Sequence, residues 1–175
     1  TNCGGSINAS AGTVIYANAN PNVITGTYYN LTISATVTFA TLCDIITVNR
    51  NLAVNGTATL YAGYQITGNN SGGTFTMAAG TTLRLGNTGS ATAIAFPTNY
   101  ATGNIILNST STVIYQSNGN QTISATPVYG NLSTATSGSK ILANNITVNG
   151  NILIGSGSIL DASSGNNFTI TLYGN

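Results

Sequence analysis

Thr13-Val14-Ile15-Tyr16 returns, letter for letter, as Thr112-Val113-Ile114-Tyr115, and Ile46-Thr47-Val48-Asn49 returns as Ile146-Thr147-Val148-Asn149. The two offsets, 13 to 112 and 46 to 146, are 99 and 100 residues. Between these anchors Asn30-Leu31 recurs as Asn131-Leu132, and beyond them Leu60 matches Leu160. A spacing held that closely points to a repeat architecture. The repeated words are β-branched and alternate in polarity. In Ile146-Thr147-Val148-Asn149, Ile and Val would face a dry interior and Thr the solvent.

Other segments read the same way. Asn30 to Ser34, Ile45 to Val48, Thr57 to Tyr61, Thr74 to Met77, Thr81 to Leu85, Asn104 to Leu107, Asn151 to Ile154 and Phe168 to Leu172 all look like short strands. Clusters of Gly, Asn and Ser separate them. The fold class expected is all-β. A parallel β-helix-like solenoid built from ~100-residue repeats is favoured over a β-sandwich, because repeats stack naturally when each strand pairs with an equivalent one. One domain over residues 1–175 is expected. Copy 1 covers about 11–110, partial copy 2 covers about 111–175, and residues 1–10 match 69–78. The recurring Asn residues (Asn30 and Asn131, Asn49 and Asn149, Asn51 and Asn151) suit corners, where Asn tolerates left-handed angles and bonds local backbone.

The match of the chain's start to its middle has a further consequence. Asn70 to Thr81 aligns without gaps on Asn2 to Thr13. Ile66-Thr67-Gly68-Asn69, which precedes the first of these, resembles the closing Ile170-Thr171-Leu172-Tyr173-Gly174-Asn175. Two copies placed end to end would read as one array. Head-to-tail stacking, or membership of a longer array, is therefore expected. The opening Thr-Asn-Cys-Gly-Gly is unlike a signal peptide, which suggests a mature or excised segment.

Only 3% of the 175 residues are charged, and the formal net charge is +1. The ionisable acids and bases are Arg50, Arg84, Lys140, Asp44 and Asp161. Three scattered cations make no footprint for nucleic acid, and no apolar run is long enough to span a membrane as a helix. Hydrophobic residues make up 42% of the chain and lie in patterned runs, which argues against disorder. So little net charge favours association. Cys3 and Cys43 are the two cysteines. In an oxidising compartment they would pin the first coil to a later one, and otherwise they would pack as small apolar residues.

The ordered succession Phe96-Pro97-Thr98-Asn99-Tyr100, Ser109 to Tyr115, Asn120-Gln121-Thr122-Ile123-Ser124, Tyr129-Gly130-Asn131-Leu132 and Asn145 to Asn151 resembles the repeats of very large secreted surface proteins of Bacteroidota. Those proteins are adhesin-like and commonly exported by the type IX route. The resemblance covers nearly the whole chain. It implies an extracellular, repetitive β-structured fibre or adhesin with no catalytic residues to carry over. The chain departs from such proteins in being far shorter and in lacking their C-terminal sorting domain, which suits a slice or processed subunit.

The residues themselves argue against catalysis. A glycosidase of this shape needs paired carboxylates, but Asp44 falls opposite Asn144 and Asp161 opposite Tyr61 in the repeat. There is no His to activate a Ser, and two Cys with two Asp do not make a metal shell. No cofactor is expected. Sequons for N-glycosylation occur at Asn8, Asn30, Asn55, Asn69, Asn108, Asn120, Asn131, Asn145 and Asn167; composition alone gives roughly six, so the excess does not by itself argue for glycosylation, which an exposed fibre would still permit. Tyr16 with Tyr115, and Tyr29 with Tyr129, recur and suggest a Tyr ladder, whereas Tyr61 and Tyr64 recur least and are the candidate ligand surface. The expected role is a structural segment of an extracellular fibre or surface adhesin, partnered by its own copies head to tail or by neighbouring repeats. The alternative is a module on the same scaffold that binds glycans or surfaces.

Overall fold

The computed structural model describes residues 3–69, 72–163, 165 and 167–174. Thr1, Asn2, Asn70, Ser71 and Asn175, which take part in the end-to-end match, lie outside the described residues.

The chain winds as an all-β, parallel solenoid of nearly eight coils, each visiting three faces in turn. The first coil comprises β1 (Ile7–Asn8), β2 (Thr13–Tyr16) and β3 (Asn22–Val23). The second comprises β4 (Gly26–Tyr28), β5 (Asn30–Ile33) and β6 (Phe39–Leu42). The third holds β7 (Ile46–Val48), β8 (Leu52–Val54) and β9 (Thr59–Ala62), and the fourth β10 (Ile66–Thr67), β11 (Phe75–Met77) and β12 (Thr82–Leu85). In the fifth, Thr98 bridges Thr67 on the first face, and a single 3-10 turn at Thr102–Asn104 leads to β13 (Ile105–Leu107) and β14 (Thr112–Tyr115). The sixth holds β15 (Gln121–Ile123), β16 (Val128–Tyr129) and β17 (Asn131–Thr134), and the seventh β18 (Gly138–Leu142), β19 (Ile146–Val148) and β20 (Ile152–Ile154). β21 (Ser158–Asp161) and β22 (Ile170–Leu172) begin an eighth.

Face three is one continuous sheet, β3-β6-β9-β12-β14-β17-β20. Face one is interrupted at the fifth coil and face two just after it. Face one runs β1-β4-β7-β10 and then β15-β18-β21, and face two runs β2-β5-β8-β11-β13 and then β16-β19-β22. The fifth coil is long: Phe75 pairs with Ile105, an advance of 30 residues, whereas Ile46 pairs with Ile66, an advance of 20. The extra chain folds over the interior. Phe96 and Tyr100 pack on Phe75 with ring centroids 5.6 and 5.8 Å apart. Gly68 makes room, since a Cβ there would lie 2.6 Å from the Tyr100 ring.

Alternation along each strand fills the interior with in-register rows. On face two Leu31, Leu52 and Phe75 stack, as do Ile33, Val54 and Met77. On face three Ala40, Leu60, Leu83, Val113 and Leu132 do the same. All are buried. Such rows, with the ladder between coils, are the cohesive elements of a solenoid. The expected inward Ile and Val and outward Thr are found in β19, where Ile146 and Val148 are buried and Thr147 is half-exposed.

The structural period is the coil of about 20 residues, as in Ile46 to Ile66. The long-range sequence match is not a whole number of coils. Thr13–Tyr16 lies on face two and its match Thr112–Tyr115 on face three. Ile46–Val48 lies on face one and Ile146–Val148 on face two. The matched segments are displaced by four coils plus one face.

Candidate functional site

The recurrent Asn residues join coils. Asn30 Nδ2 donates to Gly12 O at 3.1 Å, and its Oδ1 accepts from the N–H of Asn51 at 3.2 Å. Asn51 Oδ1 in turn accepts from Thr74 N at 3.1 Å. Asn131 repeats the arrangement, donating to Ser111 O and accepting from Asn151 N at 2.8 Å. These side chains therefore bond the backbone of neighbouring coils rather than their own. None of Asn30, Asn49, Asn51, Asn131, Asn149 and Asn151 has a left-handed angle, which among the described non-glycine residues is confined to Asn99, Thr136 and Asn167. Of the sequon residues, Asn8, Asn108, Asn120, Asn145 and Asn167 are exposed, and Asn30, Asn55, Asn69 and Asn131 are half-buried.

The tyrosines divide into two groups. Tyr16 Oη lies 3.0 Å from Tyr28 Oη, accepts from Ile24 N at 3.2 Å, and Tyr28 donates to Ile24 O at 2.6 Å. Tyr115 and Tyr129 do the same around Ser124, with 3.0, 3.1 and 2.6 Å. The counterpart of Tyr129 is thus Tyr28 and not Tyr29. The pairs are joined by their hydroxyls, and the Tyr16 and Tyr28 rings meet edge-on, so no stacked ladder forms. Burial pushes the Tyr115 phenol up to about 12, and drives those of Tyr28, Tyr100 and Tyr129 further above the ordinary tyrosine value. These groups are structural.

Tyr61 and Tyr64 belong to a different setting. They lie at the corner between faces three and one, on the wall of a groove of about 710 Å³ that runs along the solenoid axis. The second coil contributes Thr41 and Ile45, the third Tyr61, Gly63, Tyr64 and Gln65, and the long fifth-coil segment Asn87, Ser90 and Thr92. The groove exists because that segment leaves the corner after Gly86 instead of turning tightly. Cys3 and Cys43 also line it and are disulfide-bonded, with Cα atoms 5.9 Å apart. Tyr64 and Ile45 are exposed, at 44% and 56%. The Arg84 guanidinium sits over the Tyr61 ring, 5.7 Å from its centroid, and donates to Gln116 Oε1 at 3.1 Å. Asp44, the nearest carboxylate in sequence, accepts from Ile45 N at 2.7 Å.

Further along the same corner the interior turns polar. Gln121 Nε2 donates to Leu85 O and Ile94 O, and Gln116 Nε2 to Gly86 O. Lys140, with no exposed surface, donates to Ser117 O, Gly119 O and Ser137 O at 2.8, 2.8 and 2.9 Å. Burial lowers the affinity of its amine for a proton. This seam supplies side-chain donors to carbonyls at and beside the corner, some of which, such as Leu85 O, also accept a backbone N–H. Inward-facing Lys140 was not legible in sequence as a core residue. The one available signal was its place in an alternating strand, Gly138-Ser139-Lys140-Ile141-Leu142.

Asp44 follows the second coil and Asp161 lies in the eighth. Five coils at about 4.8 Å each separate them by roughly 24 Å, too far for a catalytic pair. Among the described residues no cluster of three or more His, Cys, Asp or Glu side chains could hold a metal ion, and no helix is long and apolar enough to cross a membrane. No protein-family model matches the chain, and no curated protein or solved structure matches it either.

Proposed function

We propose that this chain is a structural, non-catalytic segment of an extracellular fibre or surface adhesin, stacking head to tail with its own copies into a continuous β-structured filament. The observation carrying this reading is the state of the interior rows at the two ends. Leu31, Leu52 and Leu83 in the second to fourth coils are fully buried, but Ile7, Val14 and Tyr16 at one end and Ile152, Leu160 and Ile170 at the other are only partly covered, and Ile154 and Leu172 are exposed. Open rows and unpaired strand edges template further pairing. The internal sequence match supplies a pattern for the joint. Within the chain Leu52 pairs with Phe75. Ile152 matches Leu52 and Ile7 matches Phe75, so Ile7 of the next copy would seat on Ile152. The ~100-residue repeat is, on this reading, the trace of such an array, in keeping with the resemblance to secreted Bacteroidota surface repeats. The disulfide supports an oxidising, extracellular setting.

The joint has a geometric signature. Among the described residues, the 22 strands and the Thr98 bridge occupy 23 successive face positions. That number is one short of eight full coils. Each copy would therefore be rotated about a third of a turn from the last and advance by about 37 Å, at ~4.8 Å per coil. Cryo-electron microscopy of concentrated protein, with helical reconstruction, is the test. Filaments with that rotation and rise are expected. Discrete monomers at all concentrations would overturn the reading.

A further inference from the structure

We propose that the corner groove beside Tyr61 and Tyr64 binds a short, neutral oligosaccharide. This goes beyond the structural reading and is independent of it, since the groove lies on the side of the solenoid and not at its ends.

Three observations select the ligand. First, the walls combine ring and aliphatic surface with hydroxyls and amides: Tyr61, Tyr64 and Ile45 beside Thr41, Gln65 and Asn87. Pyranose rings are amphipathic in the same way, with C–H faces that lie on aromatic rings and hydroxyls around the rim. Several polar atoms here are uncommitted. The hydroxyls of Tyr61 and Tyr64 have no hydrogen-bond partner among the described residues. Asn87 uses its Oδ1 to accept from Gly89 N at 3.0 Å, which leaves its amide N–H groups to donate outward.

Second, no ionised side chain lines the groove. Arg84 is turned to Tyr61 and Gln116, and Asp44 to the Ile45 backbone. Phosphate, nucleic acid and acidic polysaccharide would find no counter-charge. Third, the groove offers no free strand edge. Its corner backbone is already bonded from coil to coil, for example Ile46 N to Gln65 O at 3.2 Å and Cys43 N to Val23 O at 3.0 Å. An extended peptide therefore cannot add as a further strand, the mode by which sheets usually take peptides.

The site is also held in shape. Arg84 fixes the Tyr61 ring from one side, the disulfide ties Cys3 to Cys43, and the long segment is anchored by buried Ile94, Phe96 and Tyr100. A preformed groove limits the ordering cost that weakens sugar binding. At about 710 Å³ it falls within the ~300–1,000 Å³ range of small-molecule sites and accommodates several sugar rings.

The test is isothermal titration of the full chain with cello-, malto-, manno-, xylo- and chito-hexaose, at low and at 0.5 M salt. Binding of at least one, insensitive to salt, is expected. Tyr64→Ala should weaken it ~10-fold or more. Gly63→Phe should abolish it, because a Cβ at Gly63 meets no atom within 4 Å and the new ring would occupy the groove without disturbing the coil. Tyr173→Ala, at an exposed tyrosine outside the groove, should leave affinity unchanged. Circular dichroism and melting temperature confirm that each variant is folded. No binding of any of the five sugars at millimolar concentration, binding lost in salt, or equal affinity in folded Tyr64→Ala and Gly63→Phe would each overturn the proposal.

Discussion

At the scale of single residues, the informative side chains are polar groups placed where apolar ones would be expected. Tyr129 is fully buried, and its hydroxyl spans Tyr115 and Ser124. Tyr129→Phe should cost ~1–3 kcal/mol in denaturant unfolding, because it removes the donor to the half-buried Ser124 O and the partner of the buried Tyr115 hydroxyl. Tyr16→Phe, at a half-exposed position of the first coil, should cost less. The same pairs make the fold sensitive to alkali. The Tyr115 phenol is raised to about 12 in the folded state, against about 10 when unfolded. Folding therefore favours the protonated form, and that contribution is complete below about pH 10 and lost as pH rises towards 12. Tyrosinate absorbance followed with circular dichroism should show a late, cooperative titration step coinciding with loss of strand signal. Lys140 presents the same logic with a cation. Lys140→Met should destabilise by ~1–3 kcal/mol, because Ser137 O loses its donor and Ser117 O and Gly119 O keep only the hydroxyls of Thr136 and Ser117. Lys140→Arg should not rescue it, since a planar fork cannot converge on three oxygens placed for an ammonium. Thermal melts of the two variants decide this.

At the scale of the element, strand and coil are stitched by side chain to backbone bonds as well as by the ladder. Asn131 links β14's approach to β20's approach through Ser111 O and Asn151 N, and Asn30 does the same between the first and third coils. Asn131→Ala should cost ~1 kcal/mol and speed amide exchange at Asn151 while leaving Leu60 unaffected, because in a solenoid each coil feels mainly its neighbours. Strands such as Thr112–Tyr115 were legible because alternation and β-branching speak directly to a half-buried strand. Two-residue strands such as Asn22–Val23 and Val128–Tyr129 were not, because so short a segment carries no periodicity and is defined by the neighbour it pairs with. The corner glycines behave likewise. Gly26 has φ +135°, and a Cβ there would collide with the Ile7 backbone, a constraint set by the preceding coil.

At the scale of the whole molecule, the Cys3–Cys43 bridge closes a separation of 40 residues and ties the first coil to the corner after the second. In the chain-entropy model such a loop contributes ~4 kcal/mol. Reduction should therefore lower the melting temperature, with exchange protection lost first at Ile7 and Val14 and last in the sixth coil. Uniform loss of protection would show instead that the solenoid unfolds as one unit. What the amino-acid order determined by itself was the all-β class, the inward and outward sense of each long strand, and the likeness of segments about 100 residues apart, because side-chain polarity and branching act locally and have a period of two. Which strands pair, the coil of about 20 residues, the one-face rotation between matched segments and the groove at Tyr61 and Tyr64 were decided by the tertiary structure. Those features depend on how much chain each corner consumes. A single long coil after Leu85 shifts every later strand and opens the groove, and only closure against neighbouring coils reveals its effect.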